Sequence, residues 1–150
     1  MVDNMFMHAL YRLLKPKYKM TTVTYEENLL KAYLADSFVK NMFGLMFRDR
    51  LEKNTGMLFV LSMESKAEAS IWMLNMRFSI DVIWMDRNGK IVDIVEGMKP
   101  CKSLFRCRTY MPKHKANYVL ELNAGAVQDL GIKVGDTIGL PDVKRRSPRP

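Results

Sequence analysis

Two carboxylates stand where a soluble protein seldom places one. Asp81 lies between Ile80 and Val82, and Glu121 between Leu120 and Leu122. Both sit in runs that read as buried strand. A carboxylate removed from water is costly unless it is paired or hydrogen-bonded. Arg48, just after Met46-Phe47, and Arg77, just before Phe78, are the candidate partners. With Asn75 as a further polar group and Trp72 as a flat contact surface, the set Arg48, Trp72, Asn75, Asp81 and Glu121 could line a small polar pocket in an apolar wall. The competing expectation is an internal ion pair that only fixes strand register. Paired carboxylates also serve as general acid and base, but the spacing sets no defined separation between these two.

No other catalytic constellation accompanies them. The chain has no nucleophile elbow, no Gly-rich phosphate loop and no dinucleotide fingerprint, so no cofactor is expected and a non-catalytic role is favoured over an enzyme of unassigned class. Cys101, Cys107 and His114 fall within fourteen residues. They are a weak candidate set for a soft metal, one ligand short of a zinc site, and no metal is assigned to them. With two cysteines there is no disulfide framework, and in a reducing compartment both are expected as free thiols. Methionine is abundant, at 13 residues. Thioethers can hold copper(I), but Met42, Met46, Met57, Met73, Met76 and Met85 follow strand and helix faces and read as core filler.

The formal charge of +8 is unevenly placed. Residues 1–20 hold Arg12, Lys15, Lys17 and Lys19 against Asp3, and residues 141–150 hold Lys144, Arg145, Arg146 and Arg149 against Asp142. These ends supply +6 and leave the body near neutrality. The exception in the body is the stretch 99–115, which has six bases and no acid and includes Phe105 and Tyr110. Cations interleaved with aromatics are what single-stranded nucleic-acid binders use. Lys102, Arg106, Arg108, Lys113 and Lys115 are therefore the candidate nucleic-acid contacts, although no recognised nucleic-acid motif stands beside them.

The elements that must position these residues fit one domain of ordinary size. Residues 1–20 read as a basic extension able to form a short amphipathic helix that ends before Pro16. Residues 141–150, with three prolines and four bases, read as a disordered tail. Between them, residues 21–140 form a single domain. Residues 21–25 favour a strand, and 28–35 suit either helix or strand, with Leu29, Tyr33 and Ala35 alternating. Asp36 is the expected N-cap of a short helix that Gly44 ends. Further strands are expected at 57–61, 71–74, 117–122 and 136–140, a helical turn at 126–130, and a long loop at 97–116. The strongest local signal is a hairpin of 78–86 and 90–95 across Arg87-Asn88-Gly89, since Asn-Gly supplies the positive φ of a tight turn. Its first strand is apolar on both faces and should be central. The fold class is α+β, mostly β: a small barrel or a strongly curved mixed sheet with two short helices.

The same segments, in order, carry a resemblance. Gly44-Leu-Met-Phe-Arg48, Gly56-Met-Leu-Phe-Val60, Trp72-Met73 with Asn75, Ile80-Asp81, Asn88-Gly-Lys-Ile-Val92, Pro100-Cys101, Tyr118-Val-Leu-Glu-Leu122 with Gly125, and Gly131-Ile132 with Gly135-Asp136 resemble the domain of unknown function 192 family of small bacterial and archaeal proteins. The resemblance covers about residues 30 to 140. It implies a compact β-rich domain and marks Arg48, Trp72, Asn75, Asp81 and Glu121 as motif residues, but implies no activity. Cys107 and the very basic 99–115 stretch depart from the pattern. Many relatives look exported. Here the best leader candidate, Met5 to Leu14, is interrupted by His8 and Arg12 and lacks a preceding basic segment and a cleavage site. No run is long enough to span a membrane, so a cytoplasmic location is expected. The leading expectation is a binding or scaffold domain whose partner is an unknown small ligand or protein. Nucleic-acid association is the alternative.

Overall fold

The computed structural model describes residues 2–143. A helix, α1 (Val2–Leu14), precedes a meander of β1 (Lys19–Tyr25) and β2 (Asn28–Ala35), then α2 (Phe38–Phe43) and β3 (Thr55–Ser65). The short β4 (Ile71–Trp72), the hairpin β5 (Ile80–Met85) and β6 (Ile91–Met98), the short β7 (Thr109–Tyr110), β8 (Ala116–Asn123) and α3 (Ala126–Leu130) complete the order. Six strands form one mixed sheet in the order β1-β2-β3-β8-β5-β6, and β4 pairs with β7 apart from it. Every neighbour in the large sheet is antiparallel except β2 and β3. A parallel pair needs a crossover, and α2 lies in it. The mixed sheet is the outcome; it does not close into a barrel.

The hairpin forms as its turn chemistry dictates. Gly89 has φ 81°, and the Asp86 carboxylate accepts from the backbone N–H groups of Asn88 and Lys90 at 2.8 and 3.0 Å. β5 lies between β8 and β6 and is buried along its whole length, the central position expected of a strand apolar on both faces. Residues 28–35 are strand. Tyr33 and Ala35 join one face, while Leu30 and Ala32 pack on the other; Leu29, at the open end of the turn, is exposed.

The alternation of strand side chains divides the core. On the first face Met57, Phe59, Val82, Trp84 and Val119 pack together, and the Trp84 indole N–H donates to the Ala69 carbonyl at 2.7 Å. On the second face Leu58, Val60, Ile83, Met85 and Leu120 meet Val127, Ile132 and Ile138 from the C-terminal segment. A third cluster of Phe43, Met46 and Leu74 is covered by Met7, Leu10 and Tyr11 of α1.

Several expectations are corrected. Ser37, not Asp36, caps α2, its side chain accepting from the Lys40 N–H; Asp36 instead forms an i,i+4 ion pair with Lys40 at 2.8 Å. The shorter serine side chain reaches the first turn, and the carboxylate reaches the lysine one turn on. The strand expected over 71–74 is only two residues long, because Leu74 bridges to Cys101 and Asn75 turns the chain at φ 58°. Residues 136–140 are not a ladder strand. They make isolated bridges, Thr137 to Lys90 and Gly139 to Thr24. The 97–116 stretch is not one long loop: β6 runs into it, Leu104–Arg106 form a 3₁₀ turn, and β7 follows. Cys101 and Cys107, expected as free thiols, are joined as a disulfide with Cα atoms 5.6 Å apart, within the span such a bond bridges. The helix ending before Pro16 is present as α1. Most of the C-terminal tail, 144–150, lies outside the described residues.

Candidate functional site

Glu121 is the floor of the principal cavity. In β8 it stands opposite Met57 of β3 and Val82 of β5, so its side chain points to the first face. Gly56, one residue before Met57, lets β3 approach β8 closely: a Cβ there would stand 2.6 Å from the Glu121 carbonyl oxygen. The cavity above the carboxyl encloses about 770 Å³. Phe38, Met42 and Phe43 of α2 form one wall; Phe59 and Met63 of β3 and Trp72 of β4 form others. Met46 and Met76 also line it. Asn41, Ser62, Glu68 and Ser70 contribute polar atoms. The Glu68 carboxylate is already engaged, accepting from the Ser62 N–H and hydroxyl at 2.9 and 2.7 Å and from the Met63 N–H at 3.2 Å.

Glu121 has no such engagement. It is 4% exposed, and among the described residues no hydrogen bond or ion pair reaches its carboxyl. Burial alone pushes its pKa up to about 8, because an apolar site disfavours the charged form. The carboxyl is therefore mostly protonated at neutral pH.

The other sequence candidates are dispersed. Trp72 shares the Glu121 cavity. Arg48 lines neither described cavity; its guanidinium lies 4.0 Å from the Tyr33 ring centre and 5.6 Å from that of Tyr18, a stacked cation. The Tyr18 hydroxyl donates to the Gly44 and Lys40 carbonyls at 3.2 and 3.3 Å. Burial, with Tyr11 and Glu121 nearby, raises its pKa, while Arg48 pulls the other way. Asn75 lies in a second cavity that has Met76 in common with the first. Asp81 is on the opposite face of the sheet from Glu121, since its cross-strand neighbour is Leu122. Its carboxylate accepts from the Gly97, Gly125 and Val127 N–H groups at 2.9, 3.0 and 3.0 Å, fastening β6 and the start of α3 to β5.

The expectation that one pocket holds both carboxylates is thus not met, nor is their pairing with arginine. Arg77 pairs with the exposed Asp49 instead, and Asp81 is satisfied by backbone donors. The disulfide removes the thiolates that a soft-metal set of Cys101, Cys107 and His114 would need, and no group of three His, Cys, Asp or Glu side chains suited to a metal occurs among the described residues. The methionine reading holds for Met57, Met73 and Met85, which are fully buried core; Met42, Met46 and Met76 also face the cavity. Asn41, Ser62 and Glu68 were not legible as site residues, because only the packing of α2 and residues 62–70 across the sheet brings them to it.

Comparison with known proteins decides the family. A family model described as Uncharacterized ACR, domain of unknown function 192, matches residues 20–140. The chain belongs to this family. α1 lies N-terminal to the matched span. A UPF0127 protein of Pyrococcus furiosus is 35% identical over 113 residues, covering 75% of this chain and 89% of its own. One from Thermococcus gammatolerans is 39% identical over 105 residues, covering 70% of this chain, and the aligned part spans 63% of that relative's length. Among solved structures, a proposed transcription regulator from Sinorhizobium meliloti superposes with a TM-score of 0.73 at 28% identity, over 82% of this chain and 95% of that one. A protein of unknown function from Novosphingobium aromaticivorans superposes with a TM-score of 0.69 at 26% identity, over 82% and 85%. The family is uncharacterised, and the β-rich fold is common to these proteins. No helix among the described residues is long and apolar enough to cross a membrane.

Proposed function

We propose that this domain is a non-catalytic binding module for a small amphipathic molecule. The molecule's apolar body fills the cavity between α2, β3 and β4, and its cationic amine head meets Glu121. One observation carries this reading: a buried carboxyl without a partner forms the floor of an open, mainly apolar cavity. A carboxyl left this way is costly, and a ligand cation removes the cost by taking the ionised form as its partner. A cavity of mostly apolar walls with a few convergent polar groups is the usual form of a small-molecule site. Hexylamine is the probe, with hexanol as the neutral control, in calorimetric titrations at pH 7. Binding should favour the amine and release a proton, seen as a heat that depends on the buffer's ionisation enthalpy. Glu121→Gln should weaken amine binding roughly 10- to 150-fold, in line with a charge-assisted hydrogen bond of roughly 1.5–3 kcal/mol. Equal affinity in Glu121→Gln, or no binding at all, would reject the proposal.

The cytoplasmic location belongs to the same proposal. A reducing cytoplasm opens most disulfides, whereas Cys101 and Cys107 are joined here, so thiol titration of unreduced purified protein is the check, and an intact bond would count against the location.

A second reading is favoured by a separate observation. Phe105 is 90% exposed, and Lys102, Arg106, Arg108, Lys113 and Lys115 of the same stretch are all exposed. Arg108 lies over the Tyr110 ring at 4.8 Å. An exposed aromatic among cations suits a single strand, and the Sinorhizobium neighbour carries a regulator's name. A fluorescein-labelled oligonucleotide should bind with an affinity that falls steeply with salt, and Phe105→Ala should weaken it by about 1–3 kcal/mol. Failure to bind at low salt removes this reading.

A further inference from the structure

The second cavity, of about 660 Å³, is lined by Met5, His8, Phe47, Asn75, Met76, Arg77 and Lys102. Among the described residues no acidic side chain lines it. We propose that it binds an organic phosphate monoester, the phosphoryl head held by Asn75 and Lys102 and the apolar portion by Met5, Phe47 and Met76. Three features of this corner of the fold support the assignment.

The first is Asn75. It is 7% exposed, and neither its amide nitrogen nor its amide oxygen has a hydrogen-bond partner. Its backbone is fully used: the N–H donates to the Cys101 carbonyl at 3.1 Å, and the carbonyl accepts from the Phe47 N–H at 3.1 Å. The side chain is thus held by rigid neighbours while its own donor and acceptor go unmet, a state that native proteins rarely tolerate without a ligand or water. Both amide atoms are enclosed in this structure; a phosphoryl group that displaces the side chains covering them offers acceptor oxygens for the amide N–H₂ and, when singly protonated, a hydroxyl donor for the amide oxygen.

The second is charge. Lys102 is exposed and makes no ion pair among the described residues. Arg77 is shared with Asp49, which leaves Lys102 as the principal cation. His8 stands at the same cavity with its ring edge-on to Phe47, 5.0 Å between centres.

The third is the placement of Lys102. The Cys101 N–H donates to the Met73 carbonyl at 3.0 Å, and Cys101 is bonded to Cys107. The lysine therefore leaves the fold from a fixed point beside Asn75, where a free loop would scatter it. The volume exceeds that of a bare phosphate, and the apolar walls favour an ester over the free ion.

The test is calorimetric titration of the full oxidised chain with phenyl phosphate, with inorganic phosphate as the smaller probe and phenylacetate as the carboxylate control. Phenyl phosphate is expected to bind most tightly. Lys102→Ala and Asn75→Gly, glycine being free to adopt φ 58°, are each expected to weaken it about tenfold. Lys113→Ala, outside the cavity, and Glu121→Gln are expected to leave it unchanged, which separates this site from the amine-binding reading. If Asn75→Gly unfolds by circular dichroism, Asn75→Asp keeps the shape, and its carboxylate should abolish binding. Absence of binding overturns the assignment. So do tighter binding of phenylacetate and an equal loss in Lys113→Ala, the latter marking diffuse charge attraction.

Discussion

At the scale of single residues, the two buried carboxylates have opposite energetics. Asp81 is satisfied by three backbone donors, and Asp81→Ala should destabilise the fold by about 3 kcal/mol in urea unfolding, because each stranded N–H adds its own penalty. Glu121 has no donor, and its pKa, ordinarily 4.5, is pushed up to about 8 by burial. Between those values the unfolded chain releases a proton that the folded chain keeps. Stability should therefore fall as pH rises from about 4.5 to about 8 and level off above, since it declines wherever the unfolded state binds fewer protons. Glu121→Gln removes the titration. A plot of melting temperature against pH should show a downward slope over that window in the wild type and a flatter one in the variant, with the variant the more stable of the two at pH 9. A wild-type slope of the opposite sign would mean that Glu121 is paired in solution. That both carboxylates are buried is legible in their apolar neighbours. That they lie on opposite faces is not, because it depends on the non-local register that sets Glu121 against Val82.

At the scale of elements, the hairpin and the stretch 101–107 show what local sequence does and does not encode. Asn88-Gly89 fixes a turn by itself, and the turn forms where expected. The basic stretch has no such local determinant. Leu74 pairs with Cys101, and β7 pairs with β4, contacts supplied by residues distant in sequence, so the order of this stretch emerges only in the fold. The Cys101–Cys107 bond adds to it. Closing a loop this short restricts the unfolded chain by about 2 kcal/mol, so Cys107→Ser should lower stability by that order, and dithiothreitol should lower the wild type's melting temperature while leaving the variant's unchanged. β3 meets β8 through Gly56, where a methyl group would press on the Glu121 carbonyl and on Leu122. Gly56→Ala should therefore displace β8 and disturb the floor of the principal cavity, even though residue 56 does not line it.

At the scale of the whole molecule, an open sheet of six strands has two free edges, β1 and β6, and free edges invite pairing with other chains. The segment after α3 ties them at one end. Thr24 of β1 exchanges backbone hydrogen bonds with Gly139 at 3.0 and 2.7 Å. At the other edge the Ile91 N–H donates to the Asp136 carbonyl at 2.8 Å, the Gly135 N–H to the Ile91 carbonyl at 2.9 Å, and the Ile138 N–H to Gly89 at 2.9 Å. Composition and β-propensity suggest a strand at 136–140, and two isolated antiparallel bridges form there. The segment cannot build a ladder, because it divides its hydrogen bonds between two edges. Tyr25 holds the strap in register: its hydroxyl donates to the Asp136 carboxylate at 2.8 Å and lies 3.2 Å from the Gly131 carbonyl oxygen. The bond to Asp136, followed by the Lys133 N–H, lowers the Asp136 pKa and pushes the Tyr25 phenol up to about 12. A lowered carboxylate pKa stabilises the fold above its unfolded value of 3.8, and that contribution is lost as pH falls through the folded value. The strap should therefore loosen in acid before the sheet does. Hydrogen exchange should show this as early loss of protection at Thr24, Ile91 and Gly139 while Leu58, Val82 and Leu120 stay protected. Tyr25→Phe should produce the same pattern at neutral pH, and a uniform loss across the sheet in that variant would show that strap and sheet unfold as one unit.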